Sequence, residues 1–256
     1  MKAKISVVTI TYNAESVLQR TLDSVLSQSY PYVEHLIIDG ASKDGTLALA
    51  EQYREESTEK AASHEVVIQS EPDHGIYDAM NKGLQKATGD FVLFLNAGDT
   101  LPATDTLELV MDKAGDGVGV LYGHTDVVDG EGNFLYHRRL QPPERLSWRS
   151  FRQGMLVCHQ AFYARTEIAR EIPYDLQYRF SADVDWCIRV MKEAERRRLQ
   201  LVNLHTVVAN YLEEGATTKN HKASLRERYL VMQRHYGVVQ TFLLHCWFVV
   251  RAVISR

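Results

Sequence analysis

Several carboxylates in this chain are spaced so that they could share one site: Asp39, Asp73 and Asp99 each follow an apolar run, and Asp183 opens a later helical pattern. The turn Asn96-Ala97-Gly98-Asp99 offers oxygen ligands to a hard cation such as Mg2+ or Mn2+, while the cation's other positions stay open for phosphate oxygens. Asp39 could accept the ring N–H of a uracil or guanine base, and Tyr12, beside Thr11 at the end of the first apolar run, could stack on that base. Lys82 lies where a cation could meet a phosphate. Asp183 or Asp185, in Ser181-Ala182-Asp183-Val184-Asp185-Trp186, could take the proton of an attacking hydroxyl; both are equally accounted for by the preference of a helix N-terminus for acids. Each residue also has an ordinary reading alone, as a turn carboxylate, a half-buried ring or a solvated lysine. Their recurrence at strand ends is what joins them.

The elements that would position them read as follows. Ile5 to Thr11, Val33 to Asp39, Glu65 to Ser70 and Phe91 to Leu95 are short apolar or β-branched runs bounded by turn residues, which predicts strands. Helical patterns separate them: Val17, Leu18, Leu22, Val25 and Leu26 share one face, Thr46 caps a helix running to about Glu59, and Ile76 to Ala87 forms another. Alternation of this kind predicts an α/β fold with a mostly parallel sheet and right-handed crossovers. Successive carboxyl edges then lie side by side, and ligands of open α/β sheets bind there. No strand leads into GxGxxG or GxxxxGK[ST], so side chains rather than a glycine cradle must hold any nucleotide.

The pattern changes in the second half. Val118 to Tyr122 and Phe134 to Arg139 flank the turn Asp129-Gly130-Glu131-Gly132-Asn133 and predict an antiparallel addition to the sheet. Residues 145–160, with Trp148, Phe151, Cys158, His159 and Gln160, have no clear period and could form a wall on the acceptor side. A helix opens at Ala182, Gln200 to Val208 is a last strand, and the polar stretch 213–221 could close over a substrate. A cationic helix from Ala223 to Tyr236 and the apolar run Thr241 to Ile254 end the chain.

Composition bounds the class. The 256 residues, 45% hydrophobic and 24% charged, are enough for a substantial core. Cys158, Cys187 and Cys246 show no metal or disulfide spacing, which fits a reducing cytoplasmic setting. The N-terminal apolar run reads better as a first strand than as a signal peptide. The net charge of −4 divides into −11 over residues 1–188 and +7 over 189–256. An acidic body with a basic, apolar tail suits a membrane surface, body packing or a second subunit, with membrane contact favoured by Trp247 and Phe248 and by the flanking bases. The apolar run is too short and too interrupted, by His245 and Arg251, to span a bilayer. Nucleic acid is not an expected partner.

Three segments, VVTITYNAE, IIDGASKDGT and SEPDHGIYDAMNKGLQKATGDFVLFLNAGD, in this order and spacing, resemble the nucleotide-sugar half of family 2 inverting glycosyltransferases with the GT-A fold. The likeness is closest to bacterial members of exopolysaccharide, capsule or lipopolysaccharide synthesis, strong over residues 4–100 and weaker to about 220. It implies a Rossmann-like, mostly parallel sheet with an antiparallel addition and C-terminal helices. Residues 1–100 would bind the donor, 101–220 the acceptor, and 221–256 would form a basic, apolar appendage. The resemblance gives Asp39 the base, with Thr11, Tyr12 and Glu15 beside it, and sets Asp73 and the DAMNKG helix with Lys82 along the nucleotide and sugar. The NAGD turn takes the place of the family's metal motif, with Asn96 and Gly98 where acids are frequent and Asp99 as the remaining carboxylate for Mn2+ or Mg2+. Asp183 becomes the general base, with Asp185 in reserve and His159 and Gln160 on the acceptor side. The implied reaction is single-displacement transfer from a nucleotide-diphosphate sugar to a saccharide or lipid-linked saccharide, in the cytoplasm or on the inner face of the membrane. The alternatives are an inactive sugar-nucleotide-binding scaffold, motivated by the missing acids, and a sugar nucleotidyltransferase, which TYNAE does not favour.

Overall fold

The computed structural model describes residues 2–59, 64–213 and 221–254. The first half alternates as the periodicity predicts: β1 (Ile5–Thr11), α1 (Glu15–Leu26), β2 (Val33–Asp39), α2 (Thr46–Glu59), β3 (Glu65–Ser70), α3 (Ile76–Lys86) and β4 (Phe91–Phe94). Then follow α4 (Thr106–Met111), β5 (Val118–Val128), β6 (Phe134–His137), β7 (Phe162–Arg165), α5 (Thr166–Glu171), α6 (Ala182–Arg196), β8 (Gln200–Leu212), α7 (His221–Tyr236) and α8 (Val238–Ile254). One sheet takes all the strands in the order β3-β2-β1-β4-β7-β5-β6, with β8 on the other side of β5. Strands β3, β2, β1 and β4 are mutually parallel, β7 runs antiparallel between β4 and β5, and β8 is parallel to β5.

Burial explains why the central runs are unbroken. Every residue of β1, β2 and β4 is buried, because helices cover both faces. Ile37 packs with Leu18, Leu22, Ala50 and Tyr53 of α1 and α2, whereas Leu36 and Ile38 join Met80 and Leu84 of α3. Edge strand β3 is only partly covered. Helix α7 buries Val231, Met232 and Tyr236 in the main core, so the segment expected as an appendage begins as part of the body. Beyond it α8 turns Val238, Val239, Phe242, Leu243 and Trp247 outward. Among the described residues no helix is long and apolar enough to cross a membrane.

The antiparallel addition is larger than its sequence pattern. Strand β7 lies just past the aperiodic stretch 145–160 and had no counterpart among the expected strands, and β5 and β8 run to Val128 and Leu212, well past the expected Tyr122 and Val208. The polar stretch expected to close over substrate falls almost wholly on residues 214–220, outside the described residues.

A histidine is built into the parallel core. His35 Nε2 meets Thr9 Oγ1 at 2.9 Å, Nδ1 meets Tyr53 Oη at 2.7 Å, and burial, reinforced by His64, pushes the imidazole pKa down to about 3. The folded ring stays neutral where the unfolded one protonates, so this contribution is intact above about pH 6.5 and is lost as pH falls toward 3. The unfolding free energy from urea titrations should therefore drop by on the order of 1 kcal/mol per pH unit between pH 6.5 and 4.5 in the wild type, and more gently in His35→Gln.

Candidate active site

Register gathers the polar strand ends. Thr11 pairs with Asp39 and Asp39 with Ser70 across the carboxyl edges of β1, β2 and β3. Asp39 consequently sits among four donors. Its Oδ1 accepts from Thr11 Oγ1 (3.0 Å) and Ser42 Oγ, and its Oδ2 from Ser70 Oγ (2.6 Å) and the Ser42 amide (2.9 Å). Burial would raise this carboxyl, but the four hydrogen bonds outweigh it and hold the pKa below the usual range. An ionised carboxylate has about four acceptor positions. All are taken here, so Asp39 can accept a base N–H only when a serine hydroxyl swings away. Thr11 serves Asp39 and is itself buried.

Beside this hub, Tyr12 exposes 66% of its surface and Gly40 leaves the space that the Asp73 carboxylate and the Tyr12 ring occupy. Asp73 Oδ1 accepts from the Gly75 amide at 2.8 Å, which shapes the entry to α3. A side chain at position 40 would collide with the end of Asp73 and lie 3.3 Å from the Tyr12 ring. Those groups can move without unpacking the core. Gly40→Val should therefore lower nucleotide affinity by at least about tenfold while costing less than about 1 kcal/mol of stability, read by calorimetric titration and urea melts.

Two expected donor contacts are committed elsewhere. Glu15 accepts the Gly45 amide at 2.9 Å and ties the loop after β1 to the loop after β2. Lys82 donates to the Pro72 carbonyl at 2.7 Å and pairs with Glu71 at 3.0 Å, with Asp78 at 3.7 Å. Its charge pins the segment leading into α3 and is not free for a phosphate.

The NAGD turn also differs from expectation. Asp99 is 4% exposed; its Oδ2 accepts from Gln160 Nε2 at 2.9 Å and its Oδ1 from the Leu212 amide at 3.0 Å. Burial pushes its pKa up to about 6, against the pull of those bonds. Gly98 has φ +98° and packs on Leu212, where a Cβ would lie 2.7 Å from Cδ2, so backbone and space both explain why no acid stands there. Among the described residues no three His, Cys, Asp or Glu are grouped as metal ligands. As they stand, these side chains do not fit a cation held by the protein, and Asp99 acts as a brace between the turn and β8. Gln160, expected on the acceptor side, is 2% exposed and belongs to that brace.

The other acids separate cleanly. Asp183, in the first turn of α6, keeps part of its surface open. Its Oδ1 accepts from Tyr77 Oη (3.2 Å) and the Val184 amide (2.9 Å), and its Oδ2 lies 3.4 Å from His159 Nδ1. Burial acts to raise Asp183, but the His159 ring, the Val184 amide and the Arg228 charge together hold it below the ordinary value. On its other side His159 Nε2 meets Asn96 Nδ2 at 3.0 Å, joining the end of β4 to α6. Asp185, the reserve base, is corrected to a structural residue: fully buried, it pairs with Arg189 at 2.6 Å and His235 at 2.7 Å, anchoring α6 to α7.

Tyr77, Ser42, Ser70 and Arg228 belong to this site without having been singled out by sequence. Ser70 was legible in principle, since parallel strands that end together set the last residue of β3 opposite Asp39; Tyr77 gave no signal, being one aromatic in a helix that needed apolar residues anyway. Tyr77 stacks on Tyr174 at 5.5 Å, and Tyr174 on Trp186 at 4.8 Å, so a ring stack braces the residue that holds Asp183. From β3 to β7 the edge crosses four strand spacings, about 19 Å. Asp73, Asp39, Tyr12, Asn96 and His159 follow one another along it, with Asp183 over the far end. An exposed ring midway along this edge and a part-open ionised carboxylate over its far end suit the class of α/β transferases that take a nucleotide sugar at the carboxyl edge of the sheet.

Comparison with known proteins agrees with this class. The model of Glycosyl transferase family 2 matches residues 6–172. A PGL/p-HBAD biosynthesis glycosyltransferase of Mycobacterium tuberculosis is 34% identical over 213 residues, covering 82% of this chain and 77% of its own length. The putative teichuronic acid biosynthesis glycosyltransferase TuaG of Bacillus subtilis is 39% identical over 98 residues, 38% of this chain and 37% of its own. In fold, S. aureus TarS 1-349 in complex with UDP-GlcNAc superposes with a TM-score of 0.69 at 18% identity, over 90% of this chain and 66% of that one. The mannosyltransferase PcManGT from Pyrobaculum calidifontis, in complex with GDP-Man and Mn2+, gives 0.62 at 18%, over 91% and 65%. The chain belongs to glycosyl transferase family 2, and its fold is the GT-A fold.

Proposed function

We propose that this protein transfers a sugar, with inversion, from a nucleoside-diphosphate sugar to a hydroxyl of a saccharide or lipid-linked saccharide in the building of a bacterial surface glycan. The observation that carries this is the contrast between Asp183 and every other acid of the edge. Asp39 has its acceptor positions filled, Asp99 is buried with each oxygen bonded, Asp185 is sealed in ion pairs, and Asp73 lies at the β3 end of the edge, whereas Asp183 is a part-exposed, ionised carboxylate with an acceptor position left over the β7 end. The base would stack on Tyr12 next to Asp39, and the diphosphate and sugar would run past Asn96 toward α6. Asp183 takes the acceptor's proton as its oxygen bonds to the anomeric carbon; the bond from that carbon to the phosphate oxygen breaks, and its electron pair leaves with the diphosphate. A Mg2+ or Mn2+ ion in this site would arrive on the donor's diphosphate, because Asp99 is buried and bonded through both oxygens.

The names of the mycobacterial and Bacillus relatives support surface glycans as the product class. The setting proposed is the cytoplasmic face of the membrane, where the outward Phe242, Leu243 and Trp247 of α8 would meet lipid, as the basic C-terminal charge favours. Calorimetric titration of UDP, GDP, dTDP and CDP, each with Mn2+, Mg2+ or chelator, tests the donor site. One nucleotide should bind the wild type and lose at least about tenfold in Tyr12→Ala, whose ring carries no core packing. No binding by any of the four would overturn the reading, and binding without turnover of any nucleotide sugar would favour the scaffold.

A further inference from the structure

We infer that His159 is a positioning residue of the transfer: its Nδ1–H aims one oxygen of Asp183 at the incoming proton, and Asn96 fixes the tautomer that makes this possible. The inference rests on the transferase reading for the meaning of Asp183, while its geometry stands independently.

The carboxylate can be accounted for position by position. Asp183 Oδ1 takes the Tyr77 hydroxyl at 3.2 Å and the Val184 amide at 2.9 Å, which fills its two acceptor positions. Among the described residues the one polar contact of Oδ2 is with His159 Nδ1, at 3.4 Å. The remaining position on Oδ2 is therefore where an acceptor's proton lands. An ionised carboxylate can only accept, so the ring must carry its hydrogen on Nδ1. In a neutral ring Nε2 is then an acceptor, and Asn96 Nδ2 stands 3.0 Å from it to donate. The opposite amide orientation would set Oδ1 against the Nε2 lone pair. This orientation leaves Asn96 Oδ1 buried without a partner among the described residues. His159 is 8% exposed, and its backbone lies in the 3-10 turn His159–Ala161 between β4, β5 and β7, so the ring has little freedom to leave this arrangement.

Two readouts test this on the whole chain. In protein labelled with 15N at histidine, with His159 assigned by difference from His159→Asn, the ring should show the Nδ1–H tautomer at pH 7.5. In Asn96→Leu the Nε2–H tautomer should become visible. For turnover, release of nucleoside diphosphate from a nucleotide sugar is measured in three variants. His159→Asn places an amide N–H where Nδ1–H was and should keep kcat within about fivefold of wild type. His159→Leu should lose about 30- to 100-fold in kcat with the donor KM within threefold. His159→Gln, whose amide reaches the Nε2 position, should keep the fold and the Asn96 partner yet lose kcat like the leucine variant, and it replaces that variant should leucine misfold. An Nε2–H tautomer in the wild type, a glutamine or leucine variant as fast as wild type, or an asparagine variant as slow as leucine would overturn the assignment. If the wild type turns over no nucleotide sugar, the transferase reading falls, and the tautomer measurement alone decides whether His159 is held as described.

Discussion

Asp183→Asn should abolish sugar transfer while leaving donor binding in place. Turnover, read as nucleoside-diphosphate release, is expected to fall by about 10³-fold, within the range that a lost general base removes. The dissociation constant for the nucleotide should stay within threefold, since the proposed nucleobase position at Tyr12 is two strands away from the β7 end where Asp183 lies. Asparagine preserves the shape, keeps an oxygen for the Tyr77 hydroxyl and the Val184 amide, and requires that the His159 ring change tautomer and the Asn96 amide turn over to match it. A small loss in kcat, under tenfold, would show that the proton goes elsewhere. Because several contacts hold Asp183 ionised below its ordinary pKa, the acid limb it sets in the pH–rate profile should lie below pH 4, and kcat should show no step from Asp183 between pH 5 and 7.

Asp185→Ala, two residues further on, should fail in a different way. Here the loss is of the fold: removing one member of a buried ion pair leaves Arg189 and His235 facing an apolar gap, which costs about 3–5 kcal/mol. In a domain of this size that is roughly a 10 °C fall in melting temperature. His235 accepts from the Lys192 ammonium on its other nitrogen at 3.0 Å, so the disturbance would spread along the α6–α7 contact. Differential scanning calorimetry separates the two aspartates: Asp183→Asn should melt close to wild type and Asp185→Ala far below it. Equal melting temperatures would remove the distinction drawn between them.

That distinction was invisible in SADVDW. Adjacent even positions of a first helical turn satisfy the same dipole preference, and only the packing of α7, nearly forty residues later, makes one a strut and leaves the other open. The parallel half was far more legible. Its strands are buried on both faces and so read as unbroken apolar runs, and β1, β2, α2 and β3 fall at their expected bounds. β7 could not be read because four residues, Phe162 to Arg165, carry no alternation once both faces are covered. For the site, sequence located Tyr12, Asp39, Asp73, Asn96 and Asp99 at one edge, put His159 on an acceptor-side wall and gave Asp183 its role through the family resemblance, but did not show what each side chain holds. Glu15, Lys82, Asp99 and Gln160 carry the right chemistry and spend it on loops and turns, a choice made by backbone amides that a sequence does not display. Gly98 shows the reverse, where the absence of an acid has a local cause in a positive φ and the Leu212 side chain.

The central claim is that a nucleotide sugar lies along the carboxyl edge from Tyr12 to Asp183. A crystal structure of Asp183→Asn with the nucleoside-diphosphate sugar selected by titration tests it most directly. The predicted result is a base stacked on Tyr12 beside Asp39, a diphosphate over Asn96, and an anomeric carbon on the side facing residue 183. A nucleotide bound away from Tyr12, or a sugar whose anomeric carbon turns away from residue 183, would contradict it.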